Sequence, residues 1–238
     1  MLVYKASTGA LLGILEADAL GQIRTGAASG VATKYLARPD SRLVCLFGAG
    51  WQARSQLAAL ACVLNKIERV TVVGRSADRL HRFCDEMKYL PLELIPSFDP
   101  EEAVVQADIV ITATGARDPL FDGRWLRSGT HVNAVGSNYP DKREIDGTAV
   151  QRAGCIVVDD LSVARMESGD LLAPDAKVDW SAVRVLGDLV AGRVPGRTSS
   201  DQITLFESQG LGIEDLAVAS RVLELAEQQG TGIQVPLV

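Results

Sequence analysis

Apolar residues recur along this chain in two rhythms. Continuous short runs lie at 43–47, 69–73, 92–95, 108–113, 131–135 and 155–158, the pattern of strands covered on both faces. Helical spacing fills several of the gaps, at 51–65, 77–88, 100–106 and 146–153. Within 51–65, Ala53, Leu57, Leu60, Ala61 and Leu64 fall on one stripe. Strands alternating with helices predict an α/β fold with a doubly wound parallel sheet over residues 41–189. A further short strand is expected at 183–186.

The two ends read differently. Residues 2–5 and 10–16 are expected as strands joined by the turn Ser7-Thr8-Gly9. A two-stranded hairpin is marginal by itself, so it needs cover from further chain or from a partner subunit. Residues 18–37 predict a helix in which Ala27, Ala28, Ser29, Gly30 and Ala32 allow close approach by a backbone or a ligand. Residues 187–197 read as a glycine-punctuated connection, 202–206 as a strand and 213–228 as a helix. Ile213, Leu216, Ala217, Ser220 and Leu223 share a face of that last helix, and Val218, Val222 and Leu225 widen it, as for a helix that is buried or at a subunit interface. Residues 1–40 and 190–238 are therefore expected to form a partial second subdomain built from both chain ends.

Composition narrows the classes. The chain has 238 residues, 47% hydrophobic and 23% charged, which is ordinary for a globular protein. A net charge of −6 without any basic run argues against nucleic acid and anionic membrane as partners. No apolar stretch is long enough to span a bilayer, and no secretion signal opens the chain. Cys45, Cys62, Cys84 and Cys155 have no metal-ligand spacing and read as reduced thiols, which suggests the cytoplasm. His81 and His131 lack partners for a triad or a metal site and read as solvated or structural, so no metal is expected.

Chemistry enters at Val44-Cys45-Leu46-Phe47-Gly48-Ala49-Gly50-Trp51-Gln52-Ala53. This is a buried strand, a glycine turn and a helix start, the geometry that holds the pyrophosphate of a dinucleotide. Gly48 permits the tight turn, Gly50 lets the backbone approach the phosphates, and Ala53 takes the place of the third glycine. The helix start, at Trp51 and Gln52, turns the partial positive charge of its N-terminus towards the anion.

Other strand ends extend the candidate site. Arg75 and Ser76 follow the second strand, where an NAD site usually carries an acidic residue; an arginine with a serine suits a 2′-phosphate, which favours NADP(H) over NAD(H). The alternative is a solvated Arg75 with Asp78 on the ribose. Thr112, Ala113 and Thr114 end the fourth strand, either as room for ribose and nicotinamide or as a plain turn. Gly136, Ser137 and Asn138 end the fifth and should face the nicotinamide; Lys142 is either a nearby charge or a solvated loop residue. Arg24 is either a clamp for a substrate carboxylate or a surface arginine paired with Asp18 or a neighbour.

Four segments in order resemble the ornithine cyclodeaminase/mu-crystallin family: Arg24-Thr25-Gly26-Ala27-Ala28, Gly48 to Ala53, Val135-Gly136-Ser137-Asn138-Tyr139-Pro140-Asp141-Lys142-Arg143-Glu144, and Ser200 to Ser208. The resemblance spans nearly the whole chain. It implies a homodimer in which a Rossmann domain joins a substrate and dimerisation domain. It also implies hydride chemistry with NAD(H) or NADP(H) at the C–N carbon of a small amino or imino acid. It favours Arg24 as the carboxylate clamp and Thr25 as a phosphate or nicotinamide contact. Ser208 and Gly210 become substrate contacts, and Ser200, Asp201 and Thr204 fall in a contact region, although Asp201 could simply stabilise a turn. Two departures stand out. Met1 falls inside what resembles a strand of the family's mixed sheet, as in an N-terminally truncated member. Asn138 occupies the position of the catalytic aspartate of ornithine cyclodeaminases. Asparagine cannot act as a base near neutral pH. Cyclic imine reduction or amino-acid dehydrogenation is therefore favoured, with ornithine cyclodeamination to proline and ammonia as an alternative. A non-catalytic crystallin-like binder is the alternative from another class.

Overall fold

A computed structural model describes residues 1–235. In chain order the elements are β1 (Leu2–Tyr4), β2 (Leu11–Ile14), α1 (Asp18–Leu36), β3 (Leu43–Phe47), α2 (Trp51–Val63), β4 (Arg69–Val73), α3 (Ala77–Glu86), β5 (Glu93–Ser97), α4 (Pro100–Gln106) and β6 (Ile109–Thr112). They continue with β7 (His131–Ala134), α5 (Gly147–Arg152), β8 (Cys155–Val158), α6 (Leu161–Glu167), α7 (Gly169–Leu172), β9 (Arg184–Val185), α8 (Leu186–Val190), β10 (Thr204–Glu207) and α9 (Gly212–Gln229). The chain forms two compact units, one of Met1–Arg24 with Leu211 onward, the other of Thr25–Gly210.

The larger unit is built on a parallel sheet in the order β5-β4-β3-β6-β7-β10-β8-β9. Period-two alternation sends successive side chains to opposite faces. Val44, Leu46, Val70, Val72, Ile109 and Ile111 bury one face against Leu57 and Leu60 of α2 and Leu80 and Phe83 of α3. Cys45, Phe47, Val110 and Val132 bury the other with Val104 of α4 and Val150 of α5. This is the doubly wound Rossmann-type sheet that the apolar runs predict. Helix starts are capped by the residues the chain supplies there: Asp99 accepts from the Glu102 amide, Asp146 from Ala149 and Asp160 from Ser162 and Val163. Small residues on α1 meet a backbone. A Cβ at Gly26 would lie 2.5 Å from the Ser55 carbonyl carbon of α2, and one at Gly30 would lie 3.1 Å from the Ala59 Cβ.

In the smaller unit β1 and β2 pair antiparallel, Leu2 opposite Ile14. Val3, Leu20 and Ala219 are buried together, with Leu223 beside them. The missing side chain at Gly13 makes room for Leu223, whose Cδ2 would lie 2.5 Å from an added Cβ. Helix α9 of the same chain thus covers one face of the hairpin, while Leu2, Tyr4, Leu12 and Ile14 stay exposed on the other. Much of α9 is open within the chain, so of the two expectations burial does not hold: Ala219 is buried, whereas Ile213 is 70% exposed.

The unit boundaries also differ from 40/41 and 189/190. Strand β10 lies inside the large sheet, Thr204 opposite both His131 and Cys155, because its buried apolar residues need cover on both faces. Helix α8 interrupts the expected connection, and α6 and α7 are two further short helices that periodicity alone does not reveal. Among the described residues no helix is long and apolar enough to cross a membrane.

Candidate functional site

Parallel strands in register bring their C-terminal ends to one edge. Phe47 lies opposite Val73 and Thr112, Thr112 opposite Ala134, and Ala134 opposite Glu207. Gly48 and Ser208 follow these residues directly, and Arg75, Thr114, Gly136 and Asn138 within four residues, so the same edge carries all six.

The turn after β3 has the conformation its glycines suggest. Gly48 sits at φ +105°, and a Cβ there would lie 2.5 Å from the Ala113 carbonyl oxygen. Its amide donates to the Val73 carbonyl at 3.0 Å. A Cβ at Gly50 would meet nothing within 4 Å, so the approach to the first turn of α2 is open. Gly50 is the N-cap of α2 and no side chain caps the helix. Uncapped amides at a helix start with no Cβ in the way fit an anionic group such as a pyrophosphate. Ala49 and Gln52 are half-buried, Trp51 is exposed, and Ala53 is buried against the sheet.

Arg75 is exposed and pairs with no carboxylate among the described residues. Ser76 caps α3, accepting from the Arg79 amide at 3.5 Å. Asp78 is exposed in the first turn of that helix.

The ends of β6 and β7 differ from the open turn. Glu144, buried throughout, reaches back beneath them. Its Oε1 accepts from the Thr114 amide at 2.6 Å and the Thr114 hydroxyl at 2.7 Å. Its Oε2 accepts from the Thr112 hydroxyl and the Gly136 amide, both at 2.7 Å. Thr112 and Thr114 thus spend their hydroxyls inside the protein. Burial pushes the Glu144 carboxyl up, and these donors pull against that. Glu144 belongs to the quoted Val135–Glu144 segment, but nothing in its spacing singles it out.

Asn138 is exposed, and its Oδ1 accepts from Lys142 Nζ at 3.3 Å. That ammonium also lies 4.7 Å from the centre of the Tyr139 ring. Ser137 is buried, and its hydroxyl donates to the Lys142 carbonyl at 2.7 Å, closing the loop. Below the loop, Asp170 Oδ1 accepts from the Glu144 and Ile145 amides at 2.8 and 3.0 Å. At the end of β10, the Ser208 hydroxyl and the Gly210 amide both donate to Asp159 Oδ2 at 2.8 Å, and Gly210 takes φ +82°.

One set of expected residues lies at the other edge of the sheet, and Arg24 belongs to the other unit. Ser200, Asp201 and Thr204 precede or begin β10, so strand direction puts them at the opposite edge of the sheet. Thr204 bonds His131 Nδ1 at 3.0 Å and the Leu36 carbonyl at 2.9 Å, and His131 Nε2 bonds Asn133 at 3.1 Å. These are packing contacts; burial pushes the His131 imidazole down to about 3. Arg24 lies in the smaller unit and holds two of that unit's carboxylates, Asp215 at 2.7 Å through Nε and Glu214 at 3.2 Å through Nη1. Thr25, the next residue, is buried in the larger unit.

The sheet order and the glycine turn define a Rossmann-type α/β protein. The ornithine cyclodeaminase/mu-crystallin family model matches residues 1–230, and the chain belongs to that family. A Bacillus cereus Δ1-pyrroline-2-carboxylate reductase is 38% identical over 95% of the chain and 70% of its own length. The structure of Thermococcus litoralis Δ1-pyrroline-2-carboxylate reductase in complex with NADH and L-proline is 41% identical, with a TM-score of 0.94, covering 98% of this chain and 73% of that one. An archaeal alanine dehydrogenase dimer with bound NAD is 33% identical, with a TM-score of 0.92, over 100% of this chain and 73% of that one.

Proposed function

We propose that this protein is a nicotinamide-dependent reductase of small cyclic imino acids, of the Δ1-pyrroline-2-carboxylate class. The observation that carries the reading is the open, uncapped start of α2 behind Gly48 and Gly50, in a chain 41% identical to a reductase solved with NADH and L-proline. Family and fold make it an oxidoreductase acting on C=N or CH–NH bonds; the dinucleotide, when bound, supplies the hydride. Gly48, Ala49, Gly50, Trp51, Gln52 and Ala53 form the pyrophosphate turn. Thr25, Thr112, Ala113, Thr114, Gly136 and Ser137 are assigned to the ribose and nicotinamide side. Asn138, with Lys142 on its Oδ1, orients substrate through its amide, and water supplies the one proton that the ring nitrogen takes. Ser208 and Gly210 line the substrate side, held by Asp159. Arg24 is the proposed carboxylate clamp on the strength of the family resemblance; a substrate carboxylate would have to replace the Asp215 and Glu214 pairs that its guanidinium holds. A homodimer is the proposed assembly, by analogy with the dimeric alanine dehydrogenase.

For the cofactor, an exposed Arg75 beside Ser76 supports NADP(H) over NAD(H). The test is oxidation of each reduced cofactor with Δ1-pyrroline-2-carboxylate, alongside fluorescence titration. NADPH should bind more tightly than NADH, and Arg75→Ala should weaken NADPH about tenfold while leaving NADH within about twofold. Equal binding of the two, or tighter NADH, removes the NADP(H) preference. Cofactor binding without any imine turnover would make the protein a binder instead.

A further inference from the structure

Glu144 is the most fully engaged buried acid of this chain, and the functional reading above gives it no part. Two of its four donors are backbone amides, Thr114 N on Oε1 and Gly136 N on Oε2, and an amide can only donate. With both threonine hydroxyls also pointing at it, the carboxylate accepts at all four lone-pair positions. That constellation suits an anion. No lysine or arginine offsets it, for its four partners are all uncharged groups. The seat is also built to exclude anything else: a Cβ at Gly136 would lie 2.5 Å from Glu144 Oε1. Asp170 fixes the Glu144 backbone from below through the Glu144 and Ile145 amides.

The straps are informative. Thr112 ends β6, Thr114 lies two residues beyond it, and Gly136 follows β7. One carboxyl group therefore ties together the two strand ends assigned to the nicotinamide side, and its four hydrogen-bond partners bring no positive charge to it. Hydride transfer to an imine develops positive charge on the donor ring as the C–H pair leaves, while C=N becomes CH–NH and nitrogen takes a proton from water. A fixed anion beneath that edge favours the charge-developing state in an environment where little water screens it.

We propose that Glu144 is a positioning residue for hydride transfer, an ionised strap across the ends of β6 and β7 whose charge favours the oxidised dinucleotide over the reduced one. This rests on the cofactor reading above. The test uses the full chain, with fluorescence and calorimetric titration of NADP⁺ and NADPH beside steady-state kinetics. In Glu144→Gln, NADP⁺ affinity should fall at least about fivefold more than NADPH affinity, and kcat should fall about tenfold or more with the cofactor KM within about threefold. A merely structural role would weaken both forms alike. Thr112→Val keeps the charge and the volume but cuts one strap. It should keep the NADP⁺/NADPH affinity ratio within about twofold and lower kcat about threefold. It serves as the test if Glu144→Gln does not fold. An unchanged ratio in Glu144→Gln, or a ratio shifted by Thr112→Val as well, overturns the proposal. A wild-type chain that binds neither form overturns the cofactor reading itself and this assignment with it. Tight wild-type binding with an unmoved ratio overturns the assignment alone.

Discussion

Two neighbouring parts of one sheet edge treat their backbone amides in opposite ways. After β3, the glycine turn leads into a start of α2 that no side chain caps. After β6, β7 and β10, the chain fills its own donors: Glu144 on Thr114 and Gly136, Asp170 on Glu144 and Ile145, Asp159 on Gly210. The first part is proposed to take its anion from a ligand; the second carries carboxyl groups of its own, Glu144, Asp159 and Asp170. The lesson is that a buried carboxylate can act as a built-in ligand, holding loops in place as a bound phosphate does elsewhere. The two parts should then respond differently to substitution.

The largest expected effect lies in the filled part. Asp170→Ala leaves the Glu144 and Ile145 amides buried without an acceptor, which costs roughly 4 kcal/mol at about 1–3 for each orphaned donor. Urea unfolding measures it. A loss under about 1 kcal/mol would mean that the two amides find other partners and that the acid is not holding the loop.

In the open part the two glycines separate stability from binding. Gly48→Ala meets both an unfavourable φ of +105° and the Ala113 carbonyl, and should cost about 2 kcal/mol as well as dinucleotide affinity. Gly50 has φ −103° and free space around its absent Cβ. Gly50→Ala should therefore leave stability within about 0.5 kcal/mol while raising the dinucleotide Kd about tenfold or more, read by thermal melting and titration. Equal losses of stability at both positions, or full affinity in Gly50→Ala, would contradict an open anion site.

This contrast also explains what could be read in advance. Strands β3, β4 and β8 and helix α4 begin and end where the apolar runs or helical spacing place them, because local periodicity matches burial there. The glycine turn was legible because it needs residues adjacent in sequence. Strand β10 was recognisable as a strand, but its place between β7 and β8 depends on long-range pairing that no local pattern encodes. Helices α6 and α7 are too short for a periodic signal and start at Asp160 and Ser168 caps. Glu144, Asp159, Asp170 and Glu207 are the least legible parts: in sequence they look like ordinary surface acids, and only the fold buries them. Asn138 stood out because of what it replaces in the family pattern, whereas the carboxylates around it had no comparable mark.

The smallest effect tests the filled part through pH. Glu207 is buried at the end of β10; its Oε1 accepts from Ser168 Oγ at 2.9 Å and Gln209 Nε2 at 3.2 Å, while Oε2 lacks a hydrogen bond. Burial first, then the charges of Asp170, Glu144 and Asp159, push its carboxyl well up, against the Ser168 bond. Asp170 is pushed up to about 7 by burial and the Glu144 charge, against the Ile145 and Glu144 amides and the Arg143 charge. For acids raised on folding, the unfolded chain ionises first as pH rises from about 4, and the folded chain must later ionise them in a buried site. Stability is therefore full below the unfolded values and falls as pH climbs through about 7. His131 works on the other side: held neutral by burial, it removes stability as pH falls below its ordinary 6.5 towards about 3. Glu207→Gln keeps the shape and removes one of the raised acids. Its melting temperature should decline less steeply than wild type between pH 5 and pH 8, with a relative gain at pH 8 of about 1 kcal/mol, the worth of one pKa unit. The acid limb set by His131 should be unchanged. Parallel alkaline limbs in the two proteins would show that the buried acids do not carry the protons assigned to them, and the contrast between the open and the filled part of the edge would then rest on hydrogen bonding alone.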